Sequence, residues 1–123
     1  MIELDFAKLK GLVPAVIQEY KTNEILMIAF MNKEAWEKTL ASGKVHFFSR
    51  TRKKLWLKGE TSGNFQLVKE IFLGCELDSV LLKVEQIGKS ACHEGYKSCF
   101  FRKLENNELK VVAKKLSDSK KYI

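Results

Sequence analysis

Residues 91–99, ACHEGYKSC, hold two of the chain's three cysteines and one of its two histidines. Thiolate and imidazole are the side chains that ligate zinc or move protons beside it. Cys92 and Cys99 have six residues between them, longer than the two to four of a common zinc knuckle, and no second matching pair follows. Three thiolates can nevertheless hold a zinc and leave its fourth position open to water, whose pKa the metal lowers to about 7. The third thiol would be Cys75, brought from elsewhere in the fold or from a second subunit. Taken alone, Cys75 closes an apolar stretch and reads more readily as a small core residue. His93 follows Cys92 directly. Alone it reads as a hydrogen-bonding surface residue, and beside an activated water it becomes a proton carrier. His46 lies in an aromatic run and reads as structural.

Two further groups bear on chemistry. The stretch KGETSGN, 58–64, suits anion capture: Gly59 and Gly63 let backbone approach closely, Thr61 and Ser62 offer hydroxyls, and Lys58 supplies charge. The order of a Walker loop is absent, so a simple turn is the competing reading. Its neighbour RTRKKLWLK, 50–58, carries Arg50, Arg52, Lys53, Lys54 and Lys58 with no acid, which favours the anion reading. In CELD, 75–78, Glu76 and Asp78 alternate and would share a strand face, where carboxylates suit magnesium. Two acids beside a turn are more often simply solvated.

These groups sit in a chain of 123 residues with a net charge of +7, enough for one domain with a core that needs no disulfides. An odd cysteine count rules out full pairing. No apolar run nears the ~20 residues that span a bilayer, and the acid-bearing N-terminus is neither a secretory nor a transit signal, so the expected location is cytoplasmic. The charge implies phosphate among the partners.

The positioning elements are mostly strands. LVPAVIQEY, 12–20, and EILMIAFM, 24–31, form an expected hairpin. NKEAWEKTLASG is a helix with Asn32 as cap and Gly43 as stop, with Trp36 and Leu40 on one face. VHFFSR is a short strand, FQLVKEIFLGC and SVLLKVEQ pair as a hairpin, and CFFRKL and LKVVAKKL pair around ENNE. A short N-terminal helix is a further expectation. The region 103–123 holds six lysines against three acids, and its end, about 114–123, reads as a solvated basic tail.

Together, LVPAVIQ, ILMIAFMN, FFSRTRKKLWLKGETSGN and VEQIGKSACHEGYKSCFFR resemble, in order, the phosphoribosyl-AMP cyclohydrolases of histidine biosynthesis, over roughly residues 11–103. The resemblance implies a mainly β (α+β) fold: a mixed, strongly bent sheet or pseudobarrel with one or two short helices, in an intertwined homodimer. It implies a single domain over 1–123, with a core at about 11–113 and without the pyrophosphohydrolase domain often fused to this family. It implies one zinc per subunit on Cys92 and Cys99 of one chain and Cys75 of the other. His93 would transfer protons, and Arg50, Lys58, Thr61, Ser62, Gly63 and Asn64 would hold phosphates and ribose. The reaction implied is hydrolytic opening of the N1–C6 bond of 1-(5-phosphoribosyl)-AMP, with no nucleic acid or membrane as partner.

One stretch departs from the family. Where it usually carries D-C-D-x-D for magnesium, this chain has GCELD, with Gly74 and Glu76 in place of two aspartates and Asp78 unchanged. Magnesium binding is therefore expected to be weakened or lost. Two rivals remain: a relative with an altered or lost reaction, and a basic zinc module that stacks nucleic-acid bases on Phe47, Phe48, Trp56, Phe100 and Phe101.

Overall fold

Alternating apolar residues build the centre of the structure. The computed structural model describes residues 2–116. Strands β1 (Val13–Glu19) and β2 (Ile25–Met31) pair as an antiparallel hairpin. β5 (Gln66–Leu73) and β6 (Val80–Gln86) form another, and the two hairpins join through a parallel β1–β6 pairing into a four-stranded mixed sheet of order β2-β1-β6-β5. Val13, Ala15 and Ile17 of β1 and Val80, Leu82 and Val84 of β6 are buried on one face. Period-2 burial fixes this register, because a slip of one residue would turn the whole set outward.

Between the hairpins, helix α1 (Lys33–Ser42) closes that face with Ala35 and Trp36. Asn32 caps it, Oδ1 accepting from the Ala35 N–H at 2.8 Å, a bond worth about 1 kcal/mol. Gly43 ends it at φ +74°, its N–H donating to the Thr39 carbonyl. Leu40, four residues from Trp36 on the same side of the helix, is exposed, and Thr39 is buried. The Thr39 hydroxyl is the reason: it accepts from the His46 N–H at 2.9 Å.

Strands β3 (His46–Ser49) and β4 (Lys54–Leu57) make a second sheet, and β7 (Arg102–Glu105) and β8 (Glu108–Val111) a third. Asn106 and Asn107 both take positive φ at the β7–β8 turn, the geometry that suits the twist of a two-residue hairpin loop. Among the described residues α1 is the one helix; where a second was expected, 7–10 is a turn. Asp5 Oδ1 accepts from the Ala7 N–H there and begins a turn rather than a helix. Of the basic tail expected at 114–123, residues 117–123 lie outside the described residues.

Candidate active site

The segment from Ile87 to Phe101 folds back on itself. Ala91 and Cys92 donate to the carbonyls of Lys97 and Tyr96, and the Gly95 N–H reaches the Cys92 carbonyl at 3.0 Å. The Glu94 N–H points at Cys92 Sγ, 3.4 Å away. Two hydrogen bonds fix the far side of the loop to β2, and one ring stack closes the loop on itself. The Cys99 N–H donates to the Leu26 carbonyl, the buried Ser98 hydroxyl to the Ile25 carbonyl, and Tyr96 stacks on Phe101 at 3.8 Å. Lys97 clamps it to the β1–β2 turn, with Nζ 2.8 Å from Glu19 and 3.0 Å from Glu24. The Lys97 hydrogen bond holds the Glu19 carboxyl below its usual range.

The fold therefore brings Cys92 and Cys99 together, close enough for their thiols to share a hydrogen bond. Cys92 is 4% exposed. Burial, then the neighbouring thiol, pushes Cys99 up to about 12, while Lys58 pulls it down. Two thiols in such a setting cannot both ionise without a cation beside them.

Lys58 is that neighbour. It was expected on phosphate, but its side chain runs inward at 1% exposure, and Nζ donates to the Ala91 carbonyl at 2.7 Å. Burial lowers its pKa to about 8, opposed by the charges of Cys99 and Cys92. No sequence signal separates this inward lysine from a solvated one, because lysine beside glycine in a loop ordinarily faces water.

The loop after Lys58 closes on its own backbone. Gly63 donates to the Gly59 carbonyl at 2.8 Å, and both glycines have positive φ. A Cβ at Gly59 would stand 2.6 Å from the Asn64 carbonyl carbon and the Phe65 nitrogen, and one at Gly88 would overlap the Asn64 side chain. Asn64 is thus gripped from two sides, while Thr61 and Gly63 are exposed and Ser62 is half-buried. We expect Gly59→Ala to lower stability by about 3 kcal/mol, combining left-handed strain with backbone overlap, and Tm by roughly 10 °C in a thermal melt. Gly11→Ala, with φ +95° but open space, should cost only the strain, about 1–2 kcal/mol.

The other expected residues lie apart or outside. Arg50 is exposed, its guanidinium 4.1 Å from the centre of the Phe30 ring. His93 is exposed next to Cys92, and His46 is structural, with Nδ1 2.9 Å from the Lys44 carbonyl. Cys75 is exposed on the β5–β6 turn, which overturns its reading as a core residue. Among the described residues no three histidine, cysteine or acidic side chains converge as a metal cage. Glu76 and Asp78 do approach each other, but around a residue not foreseen: Lys8 Nζ lies 3.3 Å from both. Hydrogen bonds to Asp78, then Glu76, raise the Lys8 pKa.

The aromatics proposed for base stacking are largely spent on packing. Phe47 and Phe101 are buried and Trp56 lies 5.0 Å from Phe47, which leaves Phe100, at 57%, well exposed. No helix among the described residues is long and apolar enough to cross a membrane.

Comparison with known proteins identifies the family. The sequence profile of the phosphoribosyl-AMP cyclohydrolases matches residues 27–101, from β2 through the cysteine loop. The phosphoribosyl-AMP cyclohydrolase of Desulfatibacillum aliphaticivorans is 56% identical over 120 residues, covering 98% of this chain and 96% of that one. That of Desulforapulum autotrophicum is 54% identical over 122 residues, 98% of both. The histidine biosynthesis bifunctional protein of Thermoanaerobacter pseudethanolicus is 54% identical over 91% of this chain but 51% of its own length. With a profile match spanning more than half its length and relatives this similar from end to end, the chain belongs to the phosphoribosyl-AMP cyclohydrolase family.

Proposed function

We propose that this chain opens the adenine ring of 1-(5-phosphoribosyl)-AMP in histidine biosynthesis, as a cytoplasmic, zinc-dependent homodimer. The observation that carries the reading is the Cys92–Cys99 pair set over the buried Lys58 ammonium, in a chain of this family. The donor set suits zinc, because two sulfurs that cannot both ionise unaided become favourable ligands once a soft-tolerant cation joins them. Cys92 and Cys99 of one chain and Cys75 of its partner would hold the metal. When bound it supplies Lewis acidity that makes water nucleophilic at neutral pH.

The chain's own groups account for the remaining requirements. Substitution at N1 leaves the ring electron-poor at C6. Water oxygen adds at C6 and becomes a carboxamide carbonyl as the N1–C6 bond breaks; of the two protons water gives up, one leaves to solvent and the other ends on the departing N1. His93, exposed beside Cys92, carries that proton. Lys58 offsets thiolate charge beneath the site. Arg50 and the Thr61–Asn64 backbone and hydroxyls receive the two phosphates and the ribose.

A second copy is supported by surface as well as by Cys75. Ile28, Val16, Leu81 and Phe72 stand in register as one apolar row across all four strands, on the face opposite the core. Leu104, Leu109, Val111 and Val112 are exposed around β7–β8, a two-stranded unit that is marginal in water without a covering partner. An intertwined dimer, its sheets bent into a pseudobarrel, would bury both.

The test is turnover of phosphoribosyl-AMP by the zinc-loaded protein, followed by ultraviolet absorbance. We expect turnover that a chelator removes and zinc restores. No turnover from a zinc-loaded dimer would overturn the reading in favour of a relative with a different reaction.

A further inference from the structure

The β5–β6 turn carries Cys75 between two acids and does not fit magnesium. Glu76 and Asp78 already share a cation, the Lys8 ammonium, at 3.3 Å from each. The space that a third carboxylate would enter, at Gly74, is taken by the Ser79 hydroxyl, and the Gly74 N–H donates to the Ser79 carbonyl at 2.9 Å. Glu76 is 70% exposed, so nothing encloses an ion.

A second tie comes from the same N-terminal segment. The Asp5 N–H donates to the Leu77 carbonyl at 2.6 Å, and Leu77 itself is held at φ +59°. Leu4 is buried in the core one residue earlier, and the 7–10 turn then returns Lys8 to the acids. An anchored strand of chain thus delivers one backbone bond and one charge to the same four-residue turn.

We infer that the Lys8 ammonium is the resident cation of the Glu76–Asp78 pair, straps the N-terminal segment to the Cys75 turn, and takes the place of a divalent ion there. Lys8 is a positioning residue: it touches no reacting group and acts by fixing the turn that presents Cys75. That consequence for Cys75 rests on the zinc reading above; the occupancy of the acidic pair does not.

Lys8 is partly exposed, so Lys8→Met should fold. Manganese(II) serves as the probe, added to the full-length zinc-loaded protein and read by the electron paramagnetic resonance of the free ion. We expect Lys8→Met to bind manganese about tenfold more tightly than the unaltered protein, because a unit charge has left the pair. Asp78→Asn in the same background should cancel the gain. Amides of residues 74–79 should exchange hydrogen faster in Lys8→Met, and Lys8→Arg should restore their protection. Equal manganese affinity in the unaltered protein and Lys8→Met, or unchanged exchange in the turn, would overturn the inference. Both readouts are independent of turnover, so failure of the catalytic reading and failure of this one are distinguishable.

Discussion

Cys92→Ser is expected to abolish zinc-dependent turnover, by about 10³-fold or more, with little change in fold. Altering residues that merely orient metal ligands commonly costs 10–100-fold, and removing a ligand should cost more. Cys92 is buried, and a hydroxyl of similar size leaves the backbone closure at Tyr96 and Gly95 intact. The checks are bound zinc per subunit, turnover and the thermal midpoint; retained activity would sink the metal assignment. Cys75→Ser should be equally inactive although its side chain lies on an exposed turn. Mixing the two inactive variants after unfolding and refolding separates a shared site from a private one. In a twofold dimer each heterodimer contains one complete ligand set, so random pairing restores about a quarter of the activity. No restoration would mean that Cys75 and Cys92 serve the same chain.

What the sequence discloses, and what it hides, follows from range. The β1–β2 and β5–β6 hairpins and the capped helix α1 are local, and alternation with Asn32 and Gly43 is enough to read them. Strand β4 is not legible, because Lys54–Leu57 offers one short basic-apolar run whose partner is known only once Phe47 lies opposite Trp56. The parallel β1–β6 joint connects strands more than sixty residues apart and leaves no local signal. The site divides in the same way. Cys92, His93 and Cys99 share one loop and can be singled out by composition. Lys8 meets Asp78 across seventy residues, so nothing in GCELD announces a lysine between the acids. Lys58 was visible as a charge but not as a buried one. The direction of its side chain is set by Ala91, thirty-three residues on.

That inward lysine leads to the second large effect. An ammonium at 1% exposure with a single neutral acceptor is costly to keep charged, and compensation for thiolate offsets that cost. Lys58→Met should therefore separate stability from function. Removing a buried charge for a chain of similar volume leaves Tm unchanged or raises it. The same change withdraws a unit charge from beside a site whose three thiolates outweigh the zinc by one charge, worth about 2–4 kcal/mol at an effective dielectric of ~20, so zinc affinity and turnover should fall about 100-fold. Lys58→Arg should not rescue, because the guanidinium is planar and larger than the ammonium it replaces. The measurement is zinc affinity by competition with a chromophoric chelator, alongside a thermal melt. A lowered Tm with unaltered zinc affinity would make Lys58 a structural hydrogen-bond donor to Ala91. A raised KM for phosphoribosyl-AMP with unaltered zinc affinity would return it to the phosphates. Lost zinc affinity in a protein that is no less stable would identify its charge as part of the metal site.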